Sequence, residues 1–130
     1  MTREDFKKRT KQYAINVARF CKSLPYVFIL KSYINQLVRS SASVAANYRA
    51  ACRGKSKADF VNKLRIVEEE ADESLFFIEM IAEFYPNKKN ELRKLYREGN
   101  EILSMIVASI KTTNRNQSVS GKIRNRKSEI

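Results

Sequence analysis

The chain has 130 residues and carries 26 basic against 14 acidic side chains, which gives a net charge of +12. This length suits one compact domain that can bury a core without disulfide bonds or structural metals. The chain contains no histidine, which removes the commonest general base, the commonest metal ligand and every Ser-His or Cys-His pair. Its three glycines are too far apart to build a phosphate-binding glycine loop. The composition therefore excludes most familiar enzyme classes.

The chain shows no sign of a membrane or secretion signal. Its longest apolar runs, residues 26–30 and 75–78, are far shorter than the roughly 20 residues of a membrane span. The first residues are charged and lack the apolar stretch of a signal peptide. Cys21 and Cys52 form neither a CxxC unit nor a disulfide framework, which favours a reducing compartment. We expect a cytoplasmic protein that does not bind membranes.

Apolar side chains recur every three or four residues, which predicts α-helices throughout the chain. The first apolar stripe spans residues 6–24 and ends at Pro25, and the second spans residues 30–51 and stops near Gly54. No segment shows the alternating pattern of a β-strand. The first half of the chain is therefore predicted to form two helices.

The second half of the chain follows the same pattern. A third stripe spans residues 60–81 and a fourth spans residues 92–110, with Pro86 between them. Because the connections are short, neighbouring helices should run antiparallel, which predicts an all-α, up-down-up-down four-helix bundle. From residue 112 onward the stripe vanishes. We predict a bundle in residues 1–112 and a basic, polar, flexible tail in residues 113–130.

The basic residues gather at one end of this predicted bundle. That end holds the start of the first helix, the turn between the second and third, the end of the fourth, and the tail. Sixteen of the 26 basic residues but only four of the 14 acidic ones fall there. Such a concentrated positive field attracts polyanions. The predicted phosphate contacts are Lys7, Lys8, Lys11, Arg49, Arg53, Lys55, Lys57, Lys63, Arg115, Lys122 and Arg124.

Two further considerations bear on this basic end. No cluster of aromatic or amide side chains is expected beside the charges, so binding should depend little on base sequence. The alternative interpretation is a solvated surface that keeps the protein in solution.

The second helix has an unusual outer face. From residue 40 to residue 52, nine of thirteen side chains are Ala, Ser or Cys, and small residues lie on both sides of the helix. An outward face normally carries Lys and Glu. We therefore expect another subunit to pack against this face, and the alternative is an unusually uncharged exposed surface. The predicted oligomer interface consists of Arg39, Ser43, Ala46, Asn47 and Ala50.

The third helix carries a run of carboxylates, at residues 68–70, 72 and 73. Carboxylates three and four residues apart could hold a divalent metal, but the Glu-x-x-His motif of di-iron bundles cannot occur without histidine. The favoured interpretation is a charged flank that pairs with basic side chains. Antiparallel pairing about the turn at Gly54 sets Arg39 level with Glu70, with Glu73 about one turn away.

Several short motifs, taken together, are similar to those of a known family. They are Gln36-Leu37-Val38-Arg39-Ser40, Ser43-Val44-Ala45-Ala46-Asn47, Lys55-Ser56-Lys57-Ala58-Asp59-Phe60 and Leu64-Arg65-Ile66-Val67. Over about residues 5–112 the chain resembles the four-helix bundle proteins also called 23S rRNA intervening-sequence proteins. The resemblance implies a small bacterial protein that forms cyclic homopentamers. It also implies a scaffold associated with RNA or DNA rather than an enzyme.

The sequence thus favours a non-enzymatic, homo-oligomeric protein that binds nucleic acid, RNA before DNA, through its basic end. We expect no catalytic residue, no cofactor, no metal and no small-molecule substrate. The main alternative is a structural adaptor whose positive end binds an acidic protein partner. A carboxylate–metal enzyme is a third and less favoured class.

Overall fold

The computed structural model describes the backbone of residues 1–128 and the side chains of residues 1–116. Its four α-helices are α1 (Arg3–Ser23), α2 (Lys31–Ala51), α3 (Lys57–Phe84) and α4 (Lys89–Ser128). Short 3-10 turns, Phe28–Leu30 and Pro86–Lys88, precede α2 and α4, and the described residues contain no strand. Each helix packs most extensively on its neighbours in the chain, and α4 also touches α1. The predicted all-α, up-down-up-down bundle is confirmed.

Side-chain caps fix where α1 and α3 begin. The Thr2 hydroxyl accepts a hydrogen bond from the Asp5 backbone N–H at 3.1 Å, and the Asp5 carboxylate accepts one from the Thr2 N–H. At α3 the Ser56 hydroxyl accepts from the Asp59 N–H, while the Asp59 carboxylate accepts from the Lys55 N–H. These bonds satisfy donors that a helix start leaves unpaired. The two bonds at the start of α3 also hold the α2–α3 turn in a defined position.

The core lies along the axis shared by all four helices. Its largest fully buried apolar side chains include Leu37, Leu64, Ile78, Ile102 and Ile106. Among the described side chains, the buried Ser and Thr hydroxyls, those of Thr10, Ser40, Ser41 and Ser74, each donate to a backbone carbonyl three residues earlier. Burying them is therefore cheap, because none is left without a partner. None of the described helices is both long enough and apolar enough to cross a bilayer.

The helix α4 continues beyond the predicted end of the bundle at residue 112. Its backbone stays helical to Ser128, so the segment 113–128 is an extension of α4. Thr113 and Asn116 line a cavity together with Lys57, which puts them level with the start of α3. At 1.5 Å per residue, residues 117–128 extend about 18 Å past that level. The predicted flexibility of residues 113–130 stays a prediction, and their last two residues lie outside those described.

Candidate nucleic-acid interface

The start of α1, the α2–α3 turn and the distal part of α4 meet at one end of the bundle, here called the basic end. The guanidinium of Arg3 lies 4.3 Å from the centroid of the Phe60 ring, which ties α1 to α3. A cavity of about 340 Å³ opens at this junction and is lined by Arg3, Lys55, Lys57 and Thr113, among others. The structure therefore brings together the segments that the sequence assigned to this end.

Most of the predicted phosphate contacts at the basic end are exposed and carry uncompensated charge. Within the part of the chain whose side chains are described, seven of them form no ion pair. A cation without a carboxylate partner keeps its hydrogen-bond donors available to a phosphate. These seven exposed residues are Lys8, Lys11, Arg49, Arg53, Lys55, Lys57 and Arg115.

Two predicted contacts are already paired within their own helices. The ammonium of Lys7 lies 2.8 Å from the Glu4 carboxylate, and that hydrogen bond is the main reason that the pKa of Glu4 is lowered. The ammonium of Lys63 lies 3.4 Å from the Asp59 carboxylate. Lys7 and Lys63 are therefore weaker candidates than the seven unpaired residues. The side chains of the last two candidates, Lys122 and Arg124, lie outside the described residues.

Arg9 shows why a count of basic residues overstates the charge available at this end. Its guanidinium donates three hydrogen bonds to the Glu98 carboxylate, at 2.6, 3.0 and 3.2 Å, and another to the Glu101 carboxylate. The hydrogen bond to Glu98 is the largest contribution to the raised pKa of Arg9. Because Arg9 links α1 to α4, it is a structural residue and its charge is neutralised within the chain.

Aromatic residues do lie at the basic end, but they are not open to solvent. Phe6 and Tyr48 are buried and meet edge to face, with 4.7 Å between ring centroids. Phe60 is half-buried and is covered by the Arg3 guanidinium. The apolar periodicity of α1 and α2 predicts that Phe6 and Tyr48 lie in the core. The contact between Arg3 and Phe60 cannot be predicted in this way, because it joins two helices that are far apart in the chain. Arg3 is thus an additional residue at this interface.

The predicted pairing between α2 and α3 is confirmed. The Arg39 guanidinium lies 2.7 Å from the Glu73 carboxylate and 3.5 Å from that of Glu70. Both contacts raise the pKa of Arg39, chiefly through the hydrogen bond to Glu73. The carboxylate oxygen of Glu70 that faces Arg39 is buried and accepts no hydrogen bond from the described residues. Arg39 therefore compensates a carboxylate that would otherwise be buried without any partner.

Of the other predicted interface residues of α2, Asn47 also has a hydrogen-bond partner within its own chain. The amide of Asn47 donates to the Ser43 backbone carbonyl at 2.8 Å. Ala46 is exposed, whereas Ser43, Asn47 and Ala50 are half-buried in the single chain. This face is small and nearly uncharged, as the sequence indicates, and contact with a second subunit stays a prediction.

The acidic side chains of α3 form one wall of a groove rather than a compact site. Glu68, Glu69 and Asp72 line it together with Arg65, and Leu103 of α4 forms part of its floor. Among the residues with described side chains, no group of three or more carboxylate or thiol ligands is placed to hold a metal ion. The arrangement is that of a charged helix flank.

Comparison with known sequences identifies the family. A profile of the 23S rRNA-intervening sequence protein family matches residues 4–108, from the first turn of α1 into α4. The chain belongs to this family. The resemblance inferred from the motifs in α2 and α3 is therefore confirmed. A comparison with curated proteins finds no significant match.

A solved structure supports the same assignment within the 23S rRNA-intervening sequence family. It is a protein of unknown function from the S23 ribosomal protein family of Bacteroides thetaiotaomicron, 25% identical to this chain. The two superpose with a TM-score of 0.71, over 82% of this chain and 98% of the other. The likeness thus covers the bundle as a whole.

Proposed function

We propose that this protein is a non-enzymatic, homo-oligomeric bundle that binds nucleic acid, RNA in preference to DNA, through its basic end. The observation that carries the proposal is the group of seven exposed cations without carboxylate partners at one end of the molecule. Contacts from such cations release the counterions condensed on a phosphate backbone, which favours binding. Membership of a family named for an rRNA-intervening sequence supports RNA as the partner.

The chemistry of the basic end favours contacts with the backbone of the nucleic acid over contacts with its bases. Lysine and arginine at the α2–α3 turn suit phosphate oxygens, and the rings nearby are buried or covered. Phosphate contacts position a protein on a duplex but do not carry sequence information. We infer binding to structured RNA with little sequence preference, in the cytoplasm.

The experiment that tests this proposal reverses four charges at the α2–α3 turn. The variant carries Arg49→Glu, Arg53→Glu, Lys55→Glu and Lys57→Glu, and binding to an RNA hairpin and to a DNA duplex is measured by fluorescence anisotropy at several salt concentrations. We expect binding to be lost or to weaken severely. On B-DNA, four lost contacts should flatten the slope of log affinity against log salt by about 3–4 units.

A matched control makes this result specific. The control carries Lys89→Glu, Arg93→Glu, Lys94→Glu and Arg97→Glu, which changes the net charge equally at four exposed positions of α4 far from the basic end. It should bind with nearly the affinity of the wild type. If the turn variant keeps both its affinity and its salt slope, the proposed interface is wrong. Binding of an acidic protein without any binding of nucleic acid would favour the adaptor function instead.

The homo-oligomeric part of the proposal rests on the outer face of α2. A charge placed at a buried subunit contact must be desolvated without a partner, which costs several kcal/mol at each interface of a ring. We expect Ala46→Glu and Asn47→Lys each to convert the ring, for which the family resemblance implies five subunits, into smaller species in sedimentation velocity. Ala18→Glu, at an exposed alanine of α1, is the control and should leave the mass unchanged. A wild type that sediments as a 15.1 kDa monomer at micromolar concentration would contradict the proposal.

A further inference from the structure

At the end of the bundle opposite the basic end, four aromatic rings form a cluster on α2 and α3, here called the aromatic face, in which Tyr33 and Phe77 are half-buried and Phe76 and Phe84 are exposed. Tyr33 of α2 stacks on Phe77 and Phe84 of α3, with ring centroids 6.4 and 6.2 Å apart, and Phe76 meets Phe77 edge to face at 5.2 Å. Phe76 and Phe84 are each 51% exposed. The aromatic face is therefore a continuous apolar surface that the single chain leaves open to water.

A second apolar surface lies on the segment between α1 and α2, residues 26–29, here called the apolar connector. Tyr26, Phe28 and Ile29 are 73%, 80% and 78% exposed. Buried Leu24 and Leu30 anchor the connector at either end, so the side chains between them project outward. Adjacent exposed apolar residues of this size mark interaction sites in soluble proteins.

The two surfaces lie at the same level of the bundle. The hydroxyl of Tyr85, the residue that follows α3, donates to the backbone carbonyl of Pro25 at 3.0 Å. This hydrogen bond fixes the end of α3 beside the start of the apolar connector. Patches at one level of the bundle can meet between neighbouring copies whose helices run side by side.

The charges beside the two surfaces have opposite signs. Lys22 and Lys31 flank the apolar connector, whereas Glu83 lies next to Phe84 on the aromatic face, and all three charged residues are exposed. None of the three forms an ion pair with another residue whose side chain is described. The two surfaces therefore complement each other in charge, whereas two copies of either surface would bring like charges together.

We propose that the apolar connector of one copy packs against the aromatic face of the next copy, head to tail. The partner is a second copy of this chain because both complementary surfaces are present on it. A head-to-tail contact closes into a ring when its rotation closes, and it places every basic end on the same side of that ring. This inference rests on the homo-oligomeric state proposed above and adds these two surfaces to the subunit contact predicted for the outer face of α2.

The first test removes one apolar side chain from each surface, in Phe28→Ser and in Phe76→Ser. Both residues are more than half exposed, so circular dichroism should show unchanged helix content. We expect wild type to sediment as three or more subunits and each variant to sediment as a monomer. An equimolar mixture of the two variants should form dimers, because one variant keeps its connector and the other keeps its aromatic face.

The second test exchanges the flanking charges. Lys31→Glu and Glu83→Lys should each weaken self-association at least tenfold, and the double variant should recover most of the loss because the pair is restored in reverse. Lys94→Glu, an exposed lysine of α4 outside both surfaces, is the control for charge alone.

The outcomes separate this contact from the proposed function. If wild type is an oligomer that binds RNA, and both phenylalanine variants keep its mass, the proposed contact is wrong while the function stands. A wild-type dimer would contradict the head-to-tail arrangement, and a wild-type monomer would contradict both the contact and the homo-oligomeric state. A mixture of the two variants that stays monomeric would show that the two surfaces do not bind each other.

Discussion

Gly99 of α4 lies against side chains of both α1 and α3. A methyl group at this position would stand 2.6 Å from the hydroxyl of Tyr13 and 2.9 Å from a methyl carbon of Leu75. The same Tyr13 hydroxyl is buried and lies 2.9 Å from the hydroxyl of Ser74, with which it shares a hydrogen bond. The glycine is therefore required for close helix approach, and it makes room for a polar contact inside an apolar core.

We expect Gly99→Ala to destabilise the bundle by about 1–3 kcal/mol, the usual cost of overpacking a core. The gain in helix propensity from alanine is smaller, about 1 kcal/mol, and offsets only part of that cost. Urea denaturation followed by circular dichroism would measure the difference. Adding Tyr13→Phe removes the atom that the new methyl meets and should recover part of the loss. A Gly99→Ala variant more stable than wild type would show that Tyr13 moves aside freely.

Tyr13 also makes stability depend on alkaline pH. Burial, as the largest cause, raises the pKa of Tyr13 to about 12 from an ordinary value of 10.0. Because the folded state holds this proton more tightly, the stabilisation is fully present below pH 10 and is lost as the pH rises to about 12. Urea midpoints measured from neutral pH upward should therefore fall in this window. Tyr13→Phe should lose less stability across it than wild type does.

At the scale of the elements, the sequence predicts the helices well and their outer surfaces poorly. Apolar periodicity indicates where α1 to α4 lie, and Pro25 indicates where α1 ends. Both signals can be read from residues that are close together in the sequence. Arg39 could be matched to Glu70 because antiparallel pairing follows from a short turn. Periodicity does not say whether Phe76, which lies outside the core-facing stripe, is covered. The aromatic face therefore emerges only when Tyr33 and the α3 rings are placed side by side.

The α4 extension was missed for a related reason. From residue 112 the sequence has no apolar stripe, so periodicity gives no signal for the helical backbone that continues to Ser128. The free cations of the basic end were predicted from the same topology, but the pairing of Arg9 with Glu98 was not. That pairing depends on the rotation of α1 against α4, which a stripe defines only to within a residue or so.

We expect removal of residues 114–130 to change the unfolding midpoint very little, because they add almost no apolar side chains to the core. Nucleic-acid binding should weaken, because the deletion removes Arg115, Lys122, Arg124, Arg126 and Lys127. Differential scanning calorimetry and fluorescence anisotropy would test the two effects. A full-length chain with those five residues changed to serine is the control and should bind as weakly as the shortened chain. A large loss of thermal stability would show that the segment packs on the bundle or on a neighbouring subunit.

At the scale of the whole molecule, the net positive charge is concentrated at the basic end, whereas buried apolar residues occur on all four helices. Away from the basic end the basic and acidic residues balance, and several of them pair, as Arg39 does with Glu73. At the basic end, seven cations face solvent without partners among the described residues. Like charges held close together repel one another in the folded state.

We therefore expect the melting temperature to rise as NaCl increases from about 50 to about 500 mM, because salt screens this repulsion. The variant with Arg49, Arg53, Lys55 and Lys57 all changed to Glu should show a flatter dependence, since much of the repulsion is gone. Matched buffers at each ionic strength keep the pH constant. A wild-type melting temperature that falls with salt would mean that favourable ion pairs outweigh the repulsion at the basic end.

The distance between the two ends of the bundle has a consequence for how the molecule approaches a polyanion. The 28 residues of α3 span about 42 Å, several times the screening length of about 8 Å at physiological salt. Because the net positive charge lies at one end of this length, the protein has a strong electric dipole along its helices. If the protein binds RNA as proposed, the field of the RNA would exert a torque on this dipole before contact and turn the α2–α3 turn toward the phosphates. In that case productive encounters would begin with the molecule already oriented, with the aromatic face and the apolar connector directed away from the RNA.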